Sequence, residues 1–109
     1  MKIYDNTINE VKNKGVDYVV ALAHVGEESE FTSEILASKV SGFDVILDGH
    51  SHSTIESKKV TDKDGKEVII SQTGTQLTNI GELDITKDGF TETVVGNYNG
   101  YDKRWCYFD

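Results

Sequence analysis

The chain has 109 residues, with nineteen Asp and Glu against eleven Lys and Arg and a net charge of −8. That length holds one domain at most, and that charge disfavours nucleic-acid polymers and anionic membranes as partners, because both repel an acidic surface. No apolar stretch approaches the roughly 20 residues of a membrane span, and a single cysteine, Cys106, leaves no intrachain disulfide.

In chain order, Met1-Lys2-Ile3-Tyr4-Asp5 lacks the charged-then-apolar layout of a signal segment, so any targeting sequence is expected outside these residues. Residues 5–14 place Ile8 and Val11 three apart and stop before Gly15, which predicts a short amphipathic helix. Val16 to Ala23 is then apolar and β-branched and halts at His24, the pattern of a central strand buried on both faces. After the polar loop Gly26-Glu27-Glu28-Ser29-Glu30, a helix capped by Thr32 or Ser29 carries Phe31, Ile35, Leu36 and Val40 on one stripe and ends at Gly42. Phe43-Asp44-Val45-Ile46-Leu47 follows as a second short strand. Strand, helix and strand joined by short loops make a βαβ unit with parallel strands, so both histidine-bearing ends emerge at one sheet edge.

From Thr54 onward the pattern changes to alternation and turn chemistry. Lys59-Val60-Thr61 and Glu67 to Gln72 flank the turn Asp62-Lys63-Asp64-Gly65, and Thr78 to Thr86 and Phe90 to Val95 flank Lys87-Asp88-Gly89. The fold class expected is therefore α/β, a parallel βαβ unit followed by antiparallel hairpins. Residues 1–109 show no internal boundary, repeat or low-complexity tract. Trp105-Cys106-Tyr107 reads as a packed hydrophobic end rather than a reactive thiol.

All three histidines lie just past the two strand ends, in Ala23-His24-Val25-Gly26 and Asp48-Gly49-His50-Ser51-His52. Carboxyl ends of strands in open α/β sheets face the crevice where ligands bind, and neutral imidazole is the commonest protein metal ligand. On an extended segment His50 and His52 point to one side, about 7 Å apart at the backbone, and His24 adds a third nitrogen from the neighbouring strand. Gly49 is expected to let the chain turn sharply. Three imidazoles suit zinc, iron, cobalt, nickel or manganese rather than calcium, which prefers oxygen cages. Asp48 reads equally as a carboxylate orienting His50 or His52 and as half of an Asp-Gly turn. Glu27 and Glu28 read as a solvated loop. Gln72-Thr73-Gly74-Thr75-Gln76 follows another strand end and reads first as a turn between strands, and second as a place from which backbone groups or Gln76 reach substrate.

The blocks Val19-Val20-Ala21-Leu22-Ala23-His24-Val25-Gly26, Phe43-Asp44-Val45-Ile46-Leu47-Asp48-Gly49-His50-Ser51-His52-Ser53, Ile70-Ser71-Gln72-Thr73-Gly74 and Ile80-Gly81-Glu82-Leu83-Asp84 resemble the calcineurin-like metallophosphoesterases. Within them they are similar to the branch of 5′-nucleotidases and 2′,3′-cyclic-nucleotide phosphodiesterases. The resemblance covers the second half of that catalytic domain, and so implies half of its α/β sandwich. By position His24 and His50 match ligands of one metal and His52 a ligand of the other.

The resemblance implies hydrolysis of nucleotide phosphomonoesters or cyclic phosphodiesters by metal-activated water. It also implies an extracellular, cell-wall or periplasmic setting. The family's earlier blocks, Asp-x-His, the Gly-Asp of the bridging aspartate and the Gly-Asn-His-Glu of the catalytic histidine, have no counterpart in these residues. No residue here matches a catalytic group, and efficient turnover by this chain alone is not expected. A noncatalytic binding module with vestigial ligands is the alternative. An amidohydrolase, which also begins with His-x-His, would need many more βα units than the hairpins after Thr54 allow. Half of such a domain leaves a sheet edge uncovered, which invites homodimerisation. Light scattering is expected to show self-association across the micromolar range; a clean monomer counts against it.

Overall fold

The computed structural model of the chain describes residues 2–95, so the Trp105-Cys106-Tyr107 segment lies outside the described residues. The elements run α1 (Lys2–Asn13), β1 (Val20–Leu22), α2 (Ser33–Lys39), β2 (Val45–Asp48), β3 (Thr54–Thr61), β4 (Glu67–Thr73), β5 (Ile80–Thr86) and β6 (Gly89–Val95). Helix α1 turns Ile8 inward and gives way at Gly15, whose φ of 83° is left-handed. Helix α2 starts where Thr32 accepts from the Ile35 N–H at 3.2 Å, as expected of a Thr cap. It is shorter than the apolar stripe predicts. Phe31 precedes it and Val40 is its C-cap, yet Leu36, Ala37 and Val40 are all buried.

The main sheet has the order β1-β2-β4-β3. β1 and β2 are parallel, with Ala21 opposite Ile46, and β2 and β4 are parallel, with Ile46 opposite Ile70. β4 returns antiparallel to β3 from the turn at 62–66, where the Asp62 carboxylate accepts from the Asp64 and Lys66 N–H groups at 2.9 Å each. Alternate residues share a face. Ile46, Val68 and Ile70 thus form one core with Ile8, Leu36, Ala37, Val40 and Phe43 of the helical layer. β5 and β6 make a separate antiparallel ribbon. It also packs on the segment leading into β1, with Phe90 edge-on to Tyr18, ring centroids 5.1 Å apart.

The α/β class, the parallel βαβ unit and both hairpins are as the sequence implies. The place of the first strand is not. Among the described residues β1 is an edge strand of three residues rather than a central strand of eight, and Leu22 is 84% exposed. The reason is topological: β4 inserts on the far side of β2, so β2 becomes the strand with neighbours on both sides and fills its pattern with Val45 and Ile46, both fully buried.

Replacing Ile46 with Ala should therefore cost about 2–5 kcal/mol of unfolding free energy in urea titration, whereas Leu22→Ala should stay within about 0.5 kcal/mol of the parent. Equal costs would contradict the edge position of β1.

Candidate metal centre

The carboxyl ends of β1, β2 and β4 lie at one edge of the sheet because the three strands run parallel. Three loops therefore meet there: residues 23–26, 49–53 and 74–79. The β1 ladder continues one residue beyond the strand, with the Ala23 N–H on the Leu47 carbonyl at 2.9 Å, and this delivers His24 to the edge. His24 and His50 come together. His24 Nε2 and His50 Nδ1 are 3.2 Å apart, and the rings meet edge to face with centroids separated by 5.0 Å. Both side chains are exposed to solvent.

Asp48 holds this pair in place through the backbone. Its Oδ1 accepts from the Val25 and Gly49 N–H groups at 2.8 Å each, and its Oδ2 accepts from the Gly26 N–H at 2.9 Å. Burial alone would raise the Asp48 pKa. The N–H groups of Val25, Gly49 and Gly26 and the Ser33 hydroxyl outweigh it and hold the carboxyl below its ordinary 3.8, so the acceptor is ionised at neutral pH. Asp48 is the last residue of β2, and it supports His24 and His50 through the backbone beside them, including the N–H of Gly49 in its own Asp-Gly pair.

Glycine is required at Gly26 rather than at Gly49. Gly26 has φ 78°, and a Cβ there would sit 3.1 Å from the Ser51 nitrogen and 3.2 Å from His50 Cδ2, so the two histidine loops touch through its missing side chain. Gly49 is not left-handed and lies against the His24 ring. The turn expected of it is made by the histidines themselves. His50 has φ 80° and His52 φ 57°, so the segment is not the extended one on which the shared side was expected. His52 is exposed, and among the described residues no group of three or more His, Cys, Asp or Glu gathers into a ligand cluster.

A residue the sequence reading passed over braces the second loop. Gln72 is buried at the end of β4, and its Oε1 accepts from the Ser53 N–H at 2.9 Å and the Ser51 hydroxyl at 3.1 Å. The Gly74 N–H adds a bond to the Ser53 carbonyl at 2.8 Å. The available signal was an amide two residues past the apolar run Val68-Ile69-Ile70, because a polar side chain in a doubly flanked strand seeks partners; its Oε1 finds them, while its buried Nε2 has none among the described residues. Left-handed backbone at two non-glycine residues costs on the order of 1–3 kcal/mol each, and such strain persists only where surrounding bonds fix it. Asp48 and Gln72 supply those bonds. Gln76 lies in the loop after β4 at the same edge, exposed and with φ 57°. Glu27 and Glu28 are exposed, as expected of a solvated loop.

Two imidazole nitrogens bound to one divalent ion at about 2.0–2.1 Å stand about 2.8–3.4 Å apart for octahedral to tetrahedral angles. The 3.2 Å between His24 and His50 lies in that interval. The spacing of the two nitrogens is thus compatible with two positions on one transition-metal ion.

No protein-family model matches the chain. In sequence it is 27% identical over 95 residues to the trifunctional nucleotide phosphoesterase protein YfkN of Bacillus subtilis, across 84% of this chain and 6% of that protein. It is 36% identical over 52 residues to a 5′-nucleotidase of Diplobatis ommata, across 48% of this chain and 8% of that one. The chain thus spans less than a tenth of the length of these relatives. In structure it is similar to the 5′-nucleotidase precursor from Thermus thermophilus, with a TM-score of 0.70 and 22% identity over 85% of this chain and 22% of that one. It is also similar to the NAD nucleotidase of Haemophilus influenzae, with a TM-score of 0.64 and 21% identity over 84% of this chain and 21% of that one. The resemblance to the 5′-nucleotidase branch of the metallophosphoesterases therefore holds in sequence and in fold.

Replacing Asp48 with Ala should strip three N–H groups of their acceptor at about 1–3 kcal/mol for each left buried. Hydrogen exchange should accelerate at Val25 and Gly26 and remain slow at Ala23. Unchanged protection at Val25 and Gly26 would show that the carboxylate does not hold the loop.

Proposed function

We propose that this chain is a segment of a metal-dependent phosphoesterase acting on nucleotide phosphomonoesters or cyclic phosphodiesters. The observation that carries the reading is the 3.2 Å approach of His24 Nε2 to His50 Nδ1, made by residues from two strand ends and held by one carboxylate. The relatives named for nucleotide phosphoesterase and 5′-nucleotidase activity supply the substrate class. His24 and His50 would hold one divalent transition metal, drawn from manganese, zinc, iron, cobalt or nickel, and His52 would serve a second. Such an ion supplies Lewis-acid polarisation of a phosphoryl oxygen and lowers the pKa of a bound water.

This chain's own residues contribute binding and orientation. Asp48 fixes the backbone on either side of the two imidazoles, Gly26 lets the loops touch, and Gln72 pins the serines flanking His52. With three histidines in all, none remains for proton transfer once these are committed to metal. An acidic bridge and a catalytic acid are then required from sequence outside these residues, so the segment binds metal but is not expected to turn over efficiently alone. No described helix is long and apolar enough to cross a membrane, and an extracellular, cell-wall or periplasmic setting fits the neighbour described as a precursor.

The second reading, a binding module with vestigial ligands, draws on the same contact, because 3.2 Å is also an imidazole–imidazole hydrogen bond. Calorimetric titration with manganese or zinc separates the two. Binding should weaken at least about tenfold in His24→Ala and in His50→Ala, taking the low end of what even supporting residues around a metal contribute. Affinity unchanged by both substitutions would remove the metal site and leave the module.

A further inference from the structure

The β5–β6 ribbon shares no strand ladder with the main sheet, so its seating depends on side chains. At the centre of that contact is Glu92 of β6. Its side chain occupies the space left by Gly81 on β5, where a Cβ would come within 2.8 Å of Glu92 Oε1 and 2.9 Å of Thr73 Cγ2. The residue is 5% exposed, and its Oε2 is shielded from solvent and has no hydrogen-bond partner among the described residues. None of the ion pairs formed among the described residues includes it.

We propose that Glu92 is an acid-dependent latch that seats the β5–β6 ribbon on the main sheet when it carries a proton and releases it when it is ionised. The buried Glu92 Oε2 without a donor carries the inference. A serine hydroxyl has one proton to give, and Ser71 donates it to the Ile55 carbonyl of β3 at 3.0 Å. With that bond in place, Ser71 has no proton left for the Glu92 carboxyl. A protonated Glu92 is then a neutral buried group, whereas an ionised one is a buried charge whose Oε2 has no donor among the described residues. Ionised Glu92 can draw on the Ser71 hydroxyl only by taking its proton from Ile55, which leaves that carbonyl without its donor.

Among the described residues the charged groups around the latch are acidic. Glu82 and Asp84 of β5 act on Glu92 through space, Asp48 of β2 lines the same cavity of about 320 Å³, and Glu56 of β3 accepts from the neighbouring Val94 N–H at 3.1 Å. Tyr18, packed on Phe90, is the titratable group on the other side. Burial, the largest cause, and then the charges of Asp84 and Glu82 raise the Glu92 pKa above 4.5 against the opposing Ser71 hydroxyl. For a carboxyl raised in the folded state, the stabilisation is full below the unfolded value and is lost as pH rises through the folded one. The latch thus closes in acid and loosens towards neutral pH. Gln72, which braces the loop of His50 and His52, lines the same cavity, so the latch lies directly behind the candidate metal centre.

The test is hydrogen exchange of the β5 and β6 amides between pH 4 and pH 8, corrected for intrinsic rates, in the parent and in E92Q. Protection of the ribbon in the parent should fall several-fold on going to pH 8, while that of β2 and β4 holds. E92Q, which is neutral throughout, should keep acid-level protection at both ends. NMR titration of the Glu92 carboxyl in the parent, which needs no variant, should give a midpoint above 4.5. Equal pH dependence of ribbon protection in both proteins, or a midpoint at or below the ordinary value, would overturn the latch.

Discussion

Asp48 ends a strand whose preceding residues Val45 and Ile46 are completely buried, and there it places two carboxylate oxygens against the N–H groups of Val25, Gly26 and Gly49. Charge-assisted bonds of this kind are about twice as strong as neutral ones. They join the β1 end to the β2 end at the point where the sheet itself offers no further ladder. The spacing of His24 and His50, the close contact of Gly26 with Ser51, and the left-handed backbone at His50 all depend on that joint.

Much of the architecture was legible because periodicity follows from burial. The helices, the parallel βαβ unit and both hairpins follow from apolar spacing and from glycines such as Gly15 and Gly65, whose positive φ ends an element or closes a turn. The neighbour relations of the strands were not legible. An eight-residue apolar run at Val16 to Ala23 reads as a central strand, but position in a sheet is decided by which other strand pairs with it, and β4 chose the far side of β2. Local pattern carries no record of that choice.

The site was legible in part for the same reason. Sequence placed His24 and His50 at one sheet edge, since parallel strands share their carboxyl ends, and the structure brings them into contact. It did not disclose that His50 and His52 leave the extended region, because left-handed φ is rare outside glycine and asparagine-like residues and is here imposed by tertiary bonds. Gln72 was missed because it acts on backbone and serine atoms rather than on a ligand, a role that only three-dimensional neighbours reveal. The fold thus brings two imidazoles together and braces the loops that carry them through Asp48 and Gln72.

The most direct test of the account is anomalous diffraction from crystals of this chain soaked with manganese or zinc. The account predicts a single strong peak within coordination distance, about 2.0–2.1 Å for zinc, of both His24 Nε2 and His50 Nδ1. Peaks only at other surface carboxylates, with the two imidazoles still bonded to each other, would contradict it.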